Sequence, residues 1–267
     1  MKSKAYQDII DNLTISIIGP IHQQSLDNIE NYKKICKNIL VFAWSDINTE
    51  TIEVFRDKIS DDESVTLYTY KSPPSQDVKN CMFQHYKTLL PQVKGIMIAA
   101  TKCQTKYMIR TRADESFSDL SPMVKKFSND TNTIVSSNIV WRTNWGGRKK
   151  HMGDHTFIGD TQTILDVYKE FYTSAFEGFK GSALSEAFYN GIEHGCCEEH
   201  LHDYFMKHGK TPIPINVETL GEYLVSIEGK KYSNKTGLNS KVMECPDMLV
   251  DWFSMDTKMW RFMYEQE

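Results

Sequence analysis

Residues 106–115 read Lys106-Tyr107-Met108-Ile109-Arg110-Thr111-Arg112-Ala113-Asp114-Glu115. The run begins with a strand's alternation and ends abruptly in two arginines and two acids. It follows about a hundred residues in which strand-like and helix-like patterns take turns. Such alternation builds a largely parallel sheet with helices on both faces. In an open sheet of that kind, ligands sit beyond the carboxyl ends of the strands. Charged residues placed there meet a phosphate or a metal instead of a core. The stretch sets two expectations: an α/β fold, and a phosphate-bearing, nucleotide-type substrate handled with a divalent cation.

Working back from it, Thr14-Ile15-Ser16-Ile17-Ile18 reads as a first strand closed by Gly19-Pro20. Ser25 is placed to cap a helix with Leu26, Ile29, Tyr32 and Ile35 on one face. Residues 39–43 form an apolar second strand of the type buried on both faces, followed by Trp44-Ser45-Asp46 as a polar loop. A short helix is expected over 49–59 and a third strand over 65–70, ended by Ser72-Pro73-Pro74. From Gln76 to Cys103 the pattern is helical, with a break or kink expected at Pro91 and Gly95. The fourth strand, 107–110, leads into the acidic turn.

Beyond Asp114 the pattern is irregular. A strand is expected at 133–136, a polar and aromatic loop at 141–152, and helices at 161–171 and within the His/Glu-rich stretch 182–208. The Gly/Lys/Asn-rich stretch 228–241 reads as a mobile loop, and the Met/Trp/Phe-rich stretch 248–264 as core or oligomer contact, leaving a homo-oligomer open. No Gly/Ser/Pro-rich linker divides the chain, so 1–267 is expected to be one domain, with a nucleotide-binding half (1–115) and an acceptor-binding half (116–267).

The net charge of −4 argues against a nucleic-acid reader, which needs a strongly basic face. Six cysteines without a CxxC pair read as reduced thiols. The start lacks an apolar signal region, and no apolar run approaches a membrane span, so a cytoplasmic protein is expected.

Several side chains are candidates for chemistry. Asp114, at a strand end, suits Mg²⁺ or Mn²⁺ bridging a diphosphate. Arg110 and Arg112 lie two apart and share a strand face, where forked donors grip phosphate oxygens. The alternative is a solvated turn with Arg112 and Asp114 paired on the surface. Gly19, before Pro20, Ile21 and His22, lets a base or ribose approach the backbone, though taken alone the segment reads as an ordinary strand-terminating turn. Asn80 and Gln84 stand i, i+4 on a helix, suited to sugar hydroxyls or simply to the surface. Trp141, Arg142, Trp145 and Arg148 combine aromatic faces for stacking a sugar with cations for a phosphate. Asp154 suits a general base or a sugar-hydroxyl acceptor with His155 beside it; a plain hairpin turn is the other reading. The cluster from His194 to Asp203 matches neither CxxC nor HExxH. It reads instead as a helix opened by Glu198 and Glu199, with Leu201, Tyr204 and Phe205 on its buried face. One of those acids is then placed to deprotonate an acceptor hydroxyl.

Together, TISIIGPI at residues 14–21, Asn80 with Gln84, TKYMIRTRAD at 105–114 and GDHTFIGDTQTIL at 153–165 resemble the WavE-type lipopolysaccharide-synthesis glycosyltransferases. The order of elements is similar to GT-A glycosyltransferases more broadly. The likeness runs in order over roughly residues 14–205, and is specific at Gly19-Pro20 and at the Arg-x-Arg-x-Asp turn. It implies a GT-A-like, Rossmann-like sheet, mostly parallel and flanked by helices, with an irregular C-terminal acceptor region. It also implies a nucleotide-sugar donor, a divalent cation, and transfer of the sugar to a hydroxyl of a glycan acceptor. On that template Gly19, Pro20, Ile21, Trp44, Asp46, Asn80, Gln84, Arg110 and Arg112 hold the donor, Asp114 holds the metal, and Glu199 activates the acceptor. Arg112 stands where the family's acidic motif has its first Asp. Metal-free handling of the diphosphate by Arg110, Arg112 and Arg148 is therefore the alternative. A sugar nucleotidyltransferase and a non-catalytic carbohydrate-binding protein are the competing functions; the first wants a Gly-rich phosphate loop that Gly19-Pro20-Ile21-His22 lacks.

Overall fold

The computed structural model describes residues 3–21, 23–46, 49–71, 86–137, 142–145, 148–177, 197–227 and 230–233. The first strand, β1 (Leu13–Ile18), is buried along its whole length, as its apolar run demands. It pairs in parallel with β2 (Ile39–Trp44) on one side and β4 (Tyr107–Arg112) on the other. Next come β3 (Val65–Tyr70) beyond β2, and β9 (Phe157–Asp160), β6 (Thr133–Ser137) and β10 (Thr211–Ile215) beyond β4. The sheet order is β10-β6-β9-β4-β1-β2-β3, with β9 antiparallel to its two neighbours and the other pairs parallel. The fold is α/β, a mostly parallel seven-stranded sheet flanked by helices, and its β3-β2-β1-β4 portion has the doubly wound order.

The helices divide between the two faces as strand alternation dictates. On one face α1 (Lys4–Asp11), α2 (Gln23–Lys33), α3 (Thr49–Ile59) and α5 (Ser121–Asn129) bring Ile9, Tyr32, Phe55 and Phe127 onto Ile15, Ile17, Val41 and Ile109. On the other, α4 (Tyr86–Lys102), α6 (Thr161–Glu177) and α7 (Cys197–Lys207) bring Ile96, Phe171 and Phe205 onto Ile18, Phe42, Met108 and Phe157.

The structure corrects several local expectations. Helix α4 runs unbroken through Pro91. Ser25 lies inside α2 instead of capping it, and its Oγ donates to the Ala113 carbonyl at 2.9 Å. Trp44 closes β2 instead of opening a loop, and β4 continues to Arg112. The expected loop at 141–152 contains an antiparallel pair, β7 (Arg142–Trp145) with β8 (Arg148–His151). Part of the expected mobile loop is β12 (Lys230–Ser233), paired with β11 (Tyr223–Ile227), which also pairs with β5 (Glu115–Phe117). The stretches 182–196 and 248–264 lie outside the described residues. Among the described residues, no helix is long and apolar enough to cross a membrane.

Candidate functional site

The chain leaves β1 toward β2 on one side and returns as β4 on the other, so the switch point of the sheet lies between the carboxyl ends of β1 and β4. Gly19 and Ala113 end these strands, tied by Ala113 N donating to Ile18 O and Gly19 N donating to Phe42 O, both at 3.1 Å. Gly19 has φ +135°, a conformation an L side chain rarely adopts. Helix α2 then begins within a few residues, bringing its amino end to this side of the sheet. A helix amino end carries unpaired N–H groups and favours an anion.

Arg110 and Arg112 share a strand face, as expected, but they do different things. Arg110 is fully buried. Its Nη1 donates to the His155 carbonyl at 2.8 Å and its Nη2 to Gln92 Oε1 at 2.9 Å. A guanidinium enclosed in this way braces the β8–β9 loop against α4 and is removed from any diphosphate. Arg112 is partly buried, its side chain 26% exposed and that of Asp114 21%. Arg112 Nε donates to Asp114 Oδ1 at 2.9 Å and Nη2 to Oδ2 at 2.6 Å, a two-pronged pair. Nε also lies 3.2 Å from Glu115 Oε1. Burial opposes the charge on Arg112, yet the bond to Asp114 and the fields of Glu115, Asp114 and Asp154 outweigh it and raise its pKa. Burial likewise opposes the charge on Asp114, but the bond to Arg112 and its charge hold the carboxyl below its ordinary range. The pairing of Arg112 with Asp114 is thus present, within a partly buried network.

This arrangement does not fit a divalent ion on Asp114, because both carboxylate oxygens already accept from Arg112. Among the described residues, no group of three His, Cys, Asp or Glu side chains is placed to hold a metal. The pair uses Nε and Nη2 of Arg112 and leaves Nη1 outside it.

Sequence patterns missed Glu115, which is fully buried beside Asp114. Its Oε1 meets His155 Nδ1, and its main-chain carbonyl accepts from Asn28 Nδ2 at 2.6 Å. The signal was two consecutive acids after a strand, where alternation sends one of them inward. Asp154 is buried beside the network, its field acting on Arg112. Ile21 buries its side chain in the core. Trp44 is buried with its ring edge-on to Tyr70, centroids 4.6 Å apart, and Asp46 is exposed. Asn80, Gln84 and Trp141 lie outside the described residues, as do the side chains of Arg142, Trp145 and Glu199, although β7 and α7 carry their backbones.

No family model matches the chain, and no curated protein matches it. Among solved structures it is similar to a protein from Bacillus anthracis, provisionally assigned as a glucose-1-phosphate thymidylyltransferase and crystallised with sucrose. That match has 10% identity and a TM-score of 0.45, covering 80% of this chain and 89% of that one. It is also similar to the glycosyltransferase GlyE of Streptococcus pneumoniae TIGR4, at 11% identity and TM-score 0.41 over 76% of this chain and 45% of that one. A third is HddC from Yersinia pseudotuberculosis, at 11% identity and TM-score 0.35 over 58% and 79%.

Proposed function

We propose that this chain is a glycosyltransferase that takes a sugar from a nucleotide-diphosphate donor and delivers it to a hydroxyl of a glycan acceptor. The observation that carries the reading is Arg112, a cation clamped by Asp114 beside the switch point with Nη1 outside the clamp. Together with the amino end of α2, it places guanidinium and main-chain N–H donors on the side of the sheet where an open α/β fold binds nucleotides. In glycosyl transfer, negative charge gathers on the departing diphosphate. A fixed cation there stabilises the transition state more than the ground state. Asp114 keeps the guanidinium in place, so the diphosphate meets a pre-oriented group. On this reading Arg112 supplies the charge that a divalent ion supplies elsewhere. Gly19 offers its backbone to the nucleoside, and the region of β7 and β8 receives the acceptor.

The test is a thermal-shift and calorimetric screen of UDP, GDP, dTDP and their sugar conjugates in EDTA. A ligand that binds the native state raises its apparent stability. One base is expected to stabilise the protein without added metal. Arg112→Lys, which keeps the charge but loses the fork, is expected to weaken that ligand about tenfold. Absence of stabilisation by any of these nucleotides, or equal affinity in the variant, would overturn the reading. Release of pyrophosphate from a nucleoside triphosphate and a sugar phosphate would identify a nucleotidyltransferase instead.

A further inference from the structure

Glu115 and His155 form a pair that the diphosphate site does not need. Glu115 is the first residue of β5 and has no exposed surface. Its backbone is fixed from two sides, opposite Val225 of β11 and under the Asn28 amide. A carboxylate taken out of water is tolerated only when paired. Here Oε1 meets both His155 Nδ1 and Arg112 Nε, while Oε2 has no hydrogen-bond partner among the described residues. His155 is held at its other end by Arg110, whose Nη1 donates to its carbonyl. The imidazole side chain remains 19% exposed. Among the described residues, the charged groups around it are Glu115 on β5, Arg110 and Arg112 on β4, Asp114 just beyond it, and Asp154 in its own loop.

Nδ1 is the ring nitrogen in contact with the carboxylate; in the neutral tautomer that donates from Nδ1 to Glu115, the lone pair lies on Nε2. A buried acid orienting an imidazole through Nδ1 is the arrangement that prepares Nε2 as a base.

We propose that His155 Nε2 is the catalytic base of the transfer and that Glu115 is its positioning residue, a proposal that rests on the glycosyltransferase reading. Nε2 takes the proton of the acceptor hydroxyl as its oxygen bonds to the anomeric carbon. The bond from that carbon to the diphosphate oxygen breaks, and its electron pair leaves with the nucleoside diphosphate beside Arg112. The proton passes to solvent as the glycoside departs. His155 thereby takes the role expected of Glu199 or Asp154, and Asp154 contributes its field to Arg112.

The experiment measures hydrolysis of UDP-glucose, GDP-mannose and dTDP-glucose, with water as acceptor, beside calorimetric binding of the matching diphosphate. His155→Ala is expected to lower kcat by about a hundredfold or more, with diphosphate affinity within about twofold of the native protein. Added imidazole is expected to restore part of the lost rate in that variant and none in the native protein. Glu115→Gln is expected to lower kcat with KM little changed, without rescue by imidazole. A His155→Ala protein that binds diphosphate and keeps native kcat, or that imidazole does not rescue, overturns the base assignment and leaves the donor site standing. A native protein that binds none of the diphosphates overturns the donor site and this assignment with it.

Discussion

Arg110 and Arg112 stand two apart on one strand and face the same way, yet burial separates their roles. The inner one is enclosed by Gln92 and a carbonyl; the outer one reaches the switch point and takes Asp114 as its partner. Their spacing was readable, but which of them met water depended on how far α4 and the β8–β9 loop cover the strand. His200, on α7, shows burial acting on a titrating group. Burial pushes its pKa down from 6.5 to about 4, with the charge of Asp203 opposing the fall. Below pH 6.5 the unfolded chain takes up a proton that the folded chain refuses until about pH 4. The stability contribution is complete above 6.5 and is lost as pH falls through that window, amounting to about 3 kcal/mol at most. Urea unfolding at pH 7.5 and pH 4.5 is expected to show a larger loss for the native protein than for His200→Gln. Equal losses would mean that His200 titrates normally.

At the scale of elements, β9 is the least expected piece. Phe157-Ile158-Gly159-Asp160 is four residues long, and no strand is expected there from its pattern, yet it lies antiparallel between β4 and β6. Gly159 makes this possible, since a Cβ there would come within 2.3 Å of Ile134 Cδ1. Asp160 then caps α6 by accepting from Thr163 N at 2.9 Å. Phe157 is fully buried, with its ring stacked on Tyr168 and edge-on to Phe205. Phe157→Ala is expected to cost about 3–5 kcal/mol, from lost burial and the cavity left behind, measurable as a shift in the urea midpoint. A cost below about 1 kcal/mol would show that β9 is not anchored there. Another unexpected strand, β10, carries Pro212 and Pro214 but among the described residues has only β6 as a neighbour. Thr211 N donates to Asn132 O, so the two prolines, one residue out of step, fall where no N–H is needed.

For the whole molecule, strands from both sides of residue 115 form one sheet, and the two apolar clusters are its opposite faces. Neither cluster survives without the strands it shares with the other. Phe127→Ala and Phe205→Ala, one on each face, are therefore each expected to shift a single transition, with circular dichroism and tryptophan fluorescence coincident. Two separated transitions, each moved by only one variant, would show that the faces unfold independently.

The sequence by itself determined the parallel sheet of the first half, because continuous apolar strands and amphipathic helices announce themselves over short windows. It also marked the end of β4 as the place for charge and singled out Gly19, Arg112, Asp114 and His155. Tertiary structure alone decided that Arg110 turns inward, that Asp114 is taken by Arg112, and that Glu115 reaches His155, forty residues away along the chain. Periodicity reports which face a side chain occupies. It does not report what waits across from that face, and pairing and burial are set by residues distant in sequence.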